Sequence, residues 1–497
     1  MVSDEKNLPD SFDPATGKNI KWVAKLGTQN HSTPVVAGGR VYIGTNNEEP
    51  RDPKHLGDRG VLMCFDEKAG KFLWQLVVPK RDEDDYMDWP RMGMSSEATV
   101  EGDRVYTVTS RGEVMCLDAH GMANGNDGPF KDEAWHMTAP ENSSPRQKTV
   151  IGTETKPLPL LPAEGRKLLK LDKLDADIIW LFDLVSGAGI WPHDAAHSSI
   201  LIHGDYLYLN SGTGVDNTHK RVRTPDASSL VVLDKRTGKF VARDNEHIAP
   251  NVFHGTWCSP SLAEVNGRPL IFFCGGNGVV YAFEPIGRAS VSANRSSLPM
   301  NLKKVFQFDF DPTAPKQNVH QYNSNRRESP SNIYGMPVYH RNRLFVAGGG
   351  DIWWGKNECW LKCIDATKTG DITMNGLVWS YPLQKHVMST PAVHNGLVFI
   401  ADCGRTFHCV DAETSKGLWT HEIKGEVWAS PLVADGKVYL GTRSGNFYIF
   451  AASKEKKVLS ELELTTPISA TATAANGVLY VSTMAHLYAI RSGPNKK

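Results

Sequence analysis

The chain carries no excess of charge: Lys+Arg and Asp+Glu both total 55, a formal net charge of zero over 497 residues. Without a basic surplus nothing draws it to nucleic acid or to an anionic membrane, so neither is an expected partner. No apolar run approaches the roughly 20 residues needed to span a bilayer, and no membrane span is expected. Residues 1–9 lack the apolar stretch of a secretory signal, which leaves a cytoplasmic protein or one whose leader has been removed. Among the eight cysteines no CxxC or CxxCH occurs, so dithiol redox and c-type haem attachment lack support.

The composition instead holds 44 Gly, 29 Pro, 13 Trp and 14 Tyr, which suits an all-β chain with many turns and aromatic packing. One phrase recurs: small polar residues, often Pro, an apolar run, a Gly turn, an alternating strand, another turn, and a strand ending in Asp. Its second strand appears eight times, as RVYIGT from Arg40, RVYTVT from Arg104, YLYLNS from Tyr206, PLIFFC from Pro269, RLFVAG from Arg343, LVFIAD from Leu397, KVYLGT from Lys437 and VLYVST from Val478. Each copy supplies strands A, B and C, and a fourth strand D follows a turn such as Glu67 to Lys71. The eighth copy stops after Leu487–Ile490, and Asn19–Lys25 at the other end offers its missing outer strand. The expected fold is a single eight-bladed β-propeller over 1–497, with four-stranded antiparallel blades and the last blade completed by the N-terminal strand. Cys64, Cys116, Cys363 and Cys409 fall at one repeat position that elsewhere holds Val232, Ala282, Ile449 or Ala489, so they read as small buried apolar residues. Cys258 and Cys274 sit on neighbouring strands and are the one pair placed to meet.

The phrase Asp66-Glu67-Lys68-Ala69-Gly70-Lys71 with Trp74, repeated loosely at Asp411 to Trp419 and Asp234 to Lys239, resembles the tryptophan-docking repeat of the pyrroloquinoline-quinone (PQQ)-like, or quinoprotein alcohol dehydrogenase-like, propeller superfamily. The resemblance covers nearly the whole chain and implies a periplasmic or cell-envelope setting. It implies no single activity, since the superfamily holds both quinoprotein dehydrogenases and cofactor-free envelope proteins. Trp22, Trp74, Trp180, Trp379 and Trp419 are expected to pack between blades. The quinoproteins are similar in carrying an adjacent cysteine pair over PQQ, with Glu, Asn and Asp around calcium. No two cysteines are adjacent here, and Glu97 and Asn210 are the conceivable calcium ligands.

Long insertions sort onto one end of the blades: B–C loops 46–60, 211–229 and 348–358, and D–A loops 79–93, 185–196, 244–256 and 310–333. That end is the expected functional face. One exception, 119–176 between strands C and D of blade 2, is expected on the opposite face, with a short helix near Leu168 to Leu174. The residue three before the Pro of each strand A is His31, Met94, His197, Trp257, Tyr334, Met388, Trp428 or Ile468, a ring suited to stacking on a flat ligand. Trp353, Trp354 and Arg91 add aromatic and cationic candidates. The segment Trp191 to His197 offers His193, Asp194 and His197 as a catalytic acid–base group. With His31 and His254, the histidines His193 and His197 also form a possible divalent metal set. The expected function is binding of a small-molecule or saccharide-like ligand, or of a protein partner, on this face. The alternative is an enzyme, either a quinoprotein alcohol or sugar dehydrogenase or a metal- and His-assisted carbohydrate lyase or hydrolase.

Overall fold

The second strand of every repeat is apolar at most positions, and in the computed structural model of the chain each forms the buried spine of one antiparallel sheet. The structure describes residues 1–81, 89–138, 168–194, 198–294 and 297–493. Eight sheets, numbered here in repeat order, follow the strand sequence A–B–C–D, and the fold is all-β, an eight-bladed β-propeller. The chain divides into two compact units: 26–250 with 286–301 carries sheets 1 to 3, and 1–25, 251–285 and 302–497 carry sheets 4 to 8.

Sheet 8 shows how the termini cooperate. Its first three strands are Thr473–Ala475, Val478–Ser482 and His486–Ile490, and Ile20–Lys25 pairs antiparallel with the last of these as strand D. Val2–Ser3 adds in parallel to Leu432–Ala434, strand A of sheet 7.

The tryptophans dock as their spacing predicts. Trp74, Trp180, Trp379 and Trp419 lie on D strands, and each indole N–H donates to a carbonyl just beyond strand C of the following sheet, at Ala119, Lys235, Ala412 and Ser453, over 2.9–3.2 Å. For Trp74 and Trp419 the Asp closing strand C, Asp66 or Asp411, makes the turn that delivers the indole. Asp411 Oδ1 accepts from the N–H groups of Glu413 and Thr414 and from Thr414 Oγ1, and the Thr414 hydroxyl bond holds its carboxyl below the usual range. Buried aliphatic and aromatic residues fill the spaces between sheets 1 and 2, 2 and 3, 4 and 5, 5 and 6, 6 and 7, and 7 and 8.

Three expectations about the insertions are corrected. The loop 46–60 does not stay at the loop-bearing end of sheet 1: Arg51 lies over Phe65 and Phe72 at the C–D turn, and Lys54 Nζ and His55 Nε2 reach Asp175 at 2.7 and 3.4 Å. The described part of 119–176 likewise leaves the far end. Its helix Glu133–Met137 runs along the flank, where Arg59 donates to the Met137 carbonyl at 2.9 Å and His136 lies 3.2 Å from Glu113. Arg59 and Glu113 begin strands C of sheets 1 and 2, at the opposite end from the insertion's roots. Leu168 to Leu174 is not helical; Leu169 and Leu171 face the core while Leu168 and Lys170 face outward, the period of an extended chain.

Candidate functional site

In the five-sheet unit, hydroxyls tie one strand A to the next. The N–H groups of Met336, Thr390 and Ser430 donate to Thr390 Oγ1, Ser430 Oγ and Thr471 Oγ1, each at 2.9 Å. This is why small polar residues recur beside the prolines. In the three-sheet unit Glu97, standing where most repeats have Pro, does the same work: its carboxylate accepts from Thr33 N–H and from Ser199 Oγ at 2.7 Å.

Two residues before Met336 and Ser430 lie Tyr334 and Trp428, so the ladder fixes their height. Trp257 stacks on Tyr334 with centroids 4.9 Å apart. Trp353, from the loop after strand B of sheet 5, presents its edge to Trp257 at 5.8 Å and to Trp428 at 6.0 Å. His254 meets Trp257 and Trp353 edge-on at 5.2 and 5.3 Å. Arg443 sets its guanidinium 4.2 Å over Trp428 and donates to Ser469 Oγ at 2.6 Å. These residues form a continuous aromatic wall with a cation at one end.

The wall is backed by a buried polar group. Asp351 Oδ2 accepts from Tyr334 Oη and lies 3.0 Å from His254 Nδ1, while Oδ1 accepts from the N–H groups of Trp353 and Trp354 at 2.9 and 2.6 Å. Burial alone would raise this carboxyl, but the charge and hydrogen bond of His254, with those of Tyr334 and the Trp354 N–H, hold it below the ordinary range. Arg326 clasps the same turn through the carbonyls of Ile352, Trp353 and Gly355 at 3.2, 2.7 and 2.9 Å. Lys356 anchors its end on Asp311 at 2.6 Å. On this fixed turn Trp353 still has 38% of its surface exposed. With Nδ1 committed to Asp351, His254 would meet a ligand through Nε2.

The remaining predicted residues fall elsewhere. Trp354 is half-buried and its carbonyl accepts from Ser324, and Met388 is half-buried. Met94 and Ile468 are fully buried in cores rather than lining a mouth. His31 is half-buried in the three-sheet unit, and Arg91, exposed there, pairs with Glu48 at 3.0 Å. His193 is buried with Nε2 3.4 Å from Asp194, and His197 lies outside the described residues. Of the four predicted metal ligands, His31 and His193 belong to the three-sheet unit and His254 to the five-sheet unit. Asp351 and Arg443 were missed. The Gly348-Gly349-Gly350-Asp351 run before two tryptophans was the available signal for Asp351; Arg443 sits in an unremarkable minimal turn.

All eight cysteines are free thiols, so Cys258 and Cys274 are not bonded; burial, then the Cys258 neighbour, drives the Cys274 thiol well above its normal range. Glu97 is occupied between two strands, its carboxyl raised by desolvation, and Asn210 Oδ1 accepts from Gly212 N–H at 2.6 Å. The residues considered for a quinone–calcium pair are thus committed to structure, and with no adjacent cysteines the set does not fit that cofactor.

A chain of eight such docked sheets is a PQQ-like β-propeller. It belongs to the family described as outer membrane protein assembly factor BamB, which matches residues 2–121, 58–328 and 363–492. It is 24% identical over 429 residues to the lupanine 17-hydroxylase [cytochrome c] of a Pseudomonas species, covering 83% of this chain and 52% of that protein. A shorter match, 27% over 108 residues, is to the quinohemoprotein alcohol dehydrogenase of Comamonas testosteroni, covering 19% of this chain and 15% of the enzyme. The chain spans about half the length of the first relative and far less of the second. Among solved structures it is similar to BamB from Moraxella catarrhalis, with a TM-score of 0.54 at 12% identity over 95% of this chain and 99% of that one. It is also similar to the computationally designed Ika8 protein, at 0.50 and 9% over 94% and 98%. Among the described residues no helix is long and apolar enough to cross a membrane.

Proposed function

We propose that this chain is a cell-envelope propeller that binds a small flat ligand, a saccharide or quinone-like ring, on the wall formed by Trp257, Tyr334, Trp353 and Trp428. The observation that carries this is Trp353: a large exposed indole held on a turn fixed by Asp351, Arg326 and Lys356, in contact with two further tryptophans. Water-facing indole surface is costly unless used, and a rigid backing is what a stacking platform needs. Stacking would supply most of the affinity, Arg443 would attract an acidic substituent, and His254 Nε2 would orient the ring by a hydrogen bond. The envelope setting rests on the family match. The test is tryptophan emission of the purified chain titrated with cellobiose, galacturonate and PQQ. The reading expects a saturable change with at least one of them, and no response to any of the three counts against it.

The family description favours a second reading, in which Trp353 seats a protein partner. Cross-linking from a photoreactive residue placed at Trp353 in envelope fractions separates the two. A quinoprotein dehydrogenase is the reading the curated relatives would suggest, but the commitment of Glu97 and Asn210 and the absence of adjacent cysteines speak against it. A dye-linked oxidation assay with PQQ and calcium tests it directly.

A further inference from the structure

The turns between strands B and C of sheets 2, 4 and 6 share one hydrogen bond: the N–H of the fourth turn residue donates to the carbonyl three before it, Gly112 to Thr109, Gly278 to Gly275 and Arg405 to Asp402. The donor lies in the left-handed region each time, at φ 71°, 74° and 66°. Sheets 2 and 4 use the residue that this backbone favours, whereas sheet 6 holds an arginine there. Strain of this kind persists where the side chain is needed. Arg405 lines a cavity of about 400 Å³ with Gln384, Lys385, Cys403, Gly404 and Glu426, a size typical of small-molecule sites. Its frame is fixed by buried Asp402, whose Oδ2 accepts from Gln384 N–H and whose Oδ1 accepts from Gly404 N–H, each at 2.8 Å. A Cβ on Gly404 would come within 2.9 Å of Asp402 Oδ1 and within 3.2 and 3.3 Å of the Lys385 and Gln384 Cβ atoms, so the two loops pack directly together. On the third side the Glu426 carbonyl accepts from Arg443 N–H at 2.8 Å. Among the described residues Lys385 Nζ makes no hydrogen bond or ion pair, and the Arg405 guanidinium reaches an acid only at Glu422, 3.9 Å away. Burial, then the Glu426 charge, drives the Cys403 thiol up, and its S–H donates to the Val427 carbonyl at 3.4 Å, so it stands in the cavity as a neutral group.

We propose that this cavity binds a small hydroxylated carboxylic acid of the sugar-acid type. Lys385 and Arg405 supply two cations for one carboxylate, Arg405 as a planar fork that takes both oxygens. The Gln384 amide both donates to and accepts from hydroxyls, and the Glu426 carboxylate accepts from them. Two cations against one carboxylate leave a single positive charge, which suits a monoanion, while Glu426 repels the second charge of inorganic phosphate. This inference does not depend on the aromatic wall, since it calls for an anion and not for a flat ring.

The test is calorimetric titration of the full chain with gluconate, an open-chain acid that offers the wall no ring to stack on. One saturable site per chain is expected, with sorbitol, a neutral polyol, and inorganic phosphate each at least about tenfold weaker. Arg405→Gly installs the residue that sheets 2 and 4 use, so it should melt at or above the parent while weakening gluconate at least about tenfold. Lys385→Ala, at an exposed position, should weaken gluconate to a similar degree with melting unchanged. Trp353→Ala should leave gluconate affinity as it is, which separates this site from the wall. No saturable gluconate binding, equal binding of sorbitol or phosphate, parental affinity in the folded Arg405→Gly chain, or an affinity that instead falls with Trp353→Ala overturns the proposal.

Discussion

His254 Nδ1 lies 3.0 Å from Asp351 Oδ2, and the Tyr334 hydroxyl donates to that same oxygen. One buried carboxylate therefore orients an imidazole and a phenol of the aromatic wall while its other oxygen holds the turn bearing Trp353. Its carboxyl is held below the ordinary range, so it contributes stability above the unfolded Asp value of about 3.9, and that contribution is lost as pH falls through the lower folded value. Asp351→Asn should cost about 3 kcal/mol at pH 7, the scale for removing one partner of a buried pair, and should narrow the gap to the parent below about pH 4. Urea unfolding at the two pH values measures both.

Glu97 gives the opposite sign. Desolvation raises its carboxyl, so its contribution is fully present below the unfolded Glu value of about 4.3 and is lost as pH rises through the folded one. Glu97→Gln keeps a carbonyl acceptor for Thr33 N–H and can donate its amide N–H to Ser199 Oγ, but cannot ionise. The variant should therefore gain on the parent between pH 4 and pH 8, seen as a rising difference in melting temperature.

Docking of the D-strand tryptophans should appear as a graded cost. Trp74, 1% exposed, should lose about 3–5 kcal/mol on Trp74→Ala. A Cβ on Gly238 would come within 2.5 Å of the Trp180 ring at φ +70°, whereas one on Gly267 at φ +77° meets nothing. Gly267→Ala should then cost only the left-handed strain of about 1–2 kcal/mol, and Gly238→Ala clearly more. Equal losses would remove Trp180 docking as the cause. Chemical denaturation compares all three.

What the sequence revealed follows from how local each determinant is. The B strands, the Asp turns and the D-strand tryptophans are repeated, so eight copies reinforced one pattern, and even the N-terminal completion of sheet 8 was visible as a missing strand at one end and a spare at the other. Trp257, Tyr334 and Trp428 came from position within the repeat; the strand-to-strand hydroxyl ladder sets the height of Tyr334 and Trp428, and Trp257 stacks on Tyr334. Asp351 and Arg443 lie in non-repeated turns, where only tertiary contacts reveal a role. The paths of 46–60 and 119–176 were misjudged for the same reason: their direction is set by Arg51 on Phe72, His55 on Asp175 and Arg59 on Met137, none of which leaves a periodic trace.

The most direct test of the aromatic wall is the dissociation constant of whichever of cellobiose, galacturonate or PQQ gives the largest emission change, compared between the parent chain and Trp353→Ala by calorimetry. Trp353 keeps 38% of its surface exposed but also meets His254, Trp257 and Trp428, so its loss should cost about 1–3 kcal/mol while leaving the chain folded. The account predicts that affinity nevertheless falls at least about tenfold, corresponding to about 1.4 kcal/mol of lost stacking. An unchanged dissociation constant in a fully folded Trp353→Ala chain would contradict it.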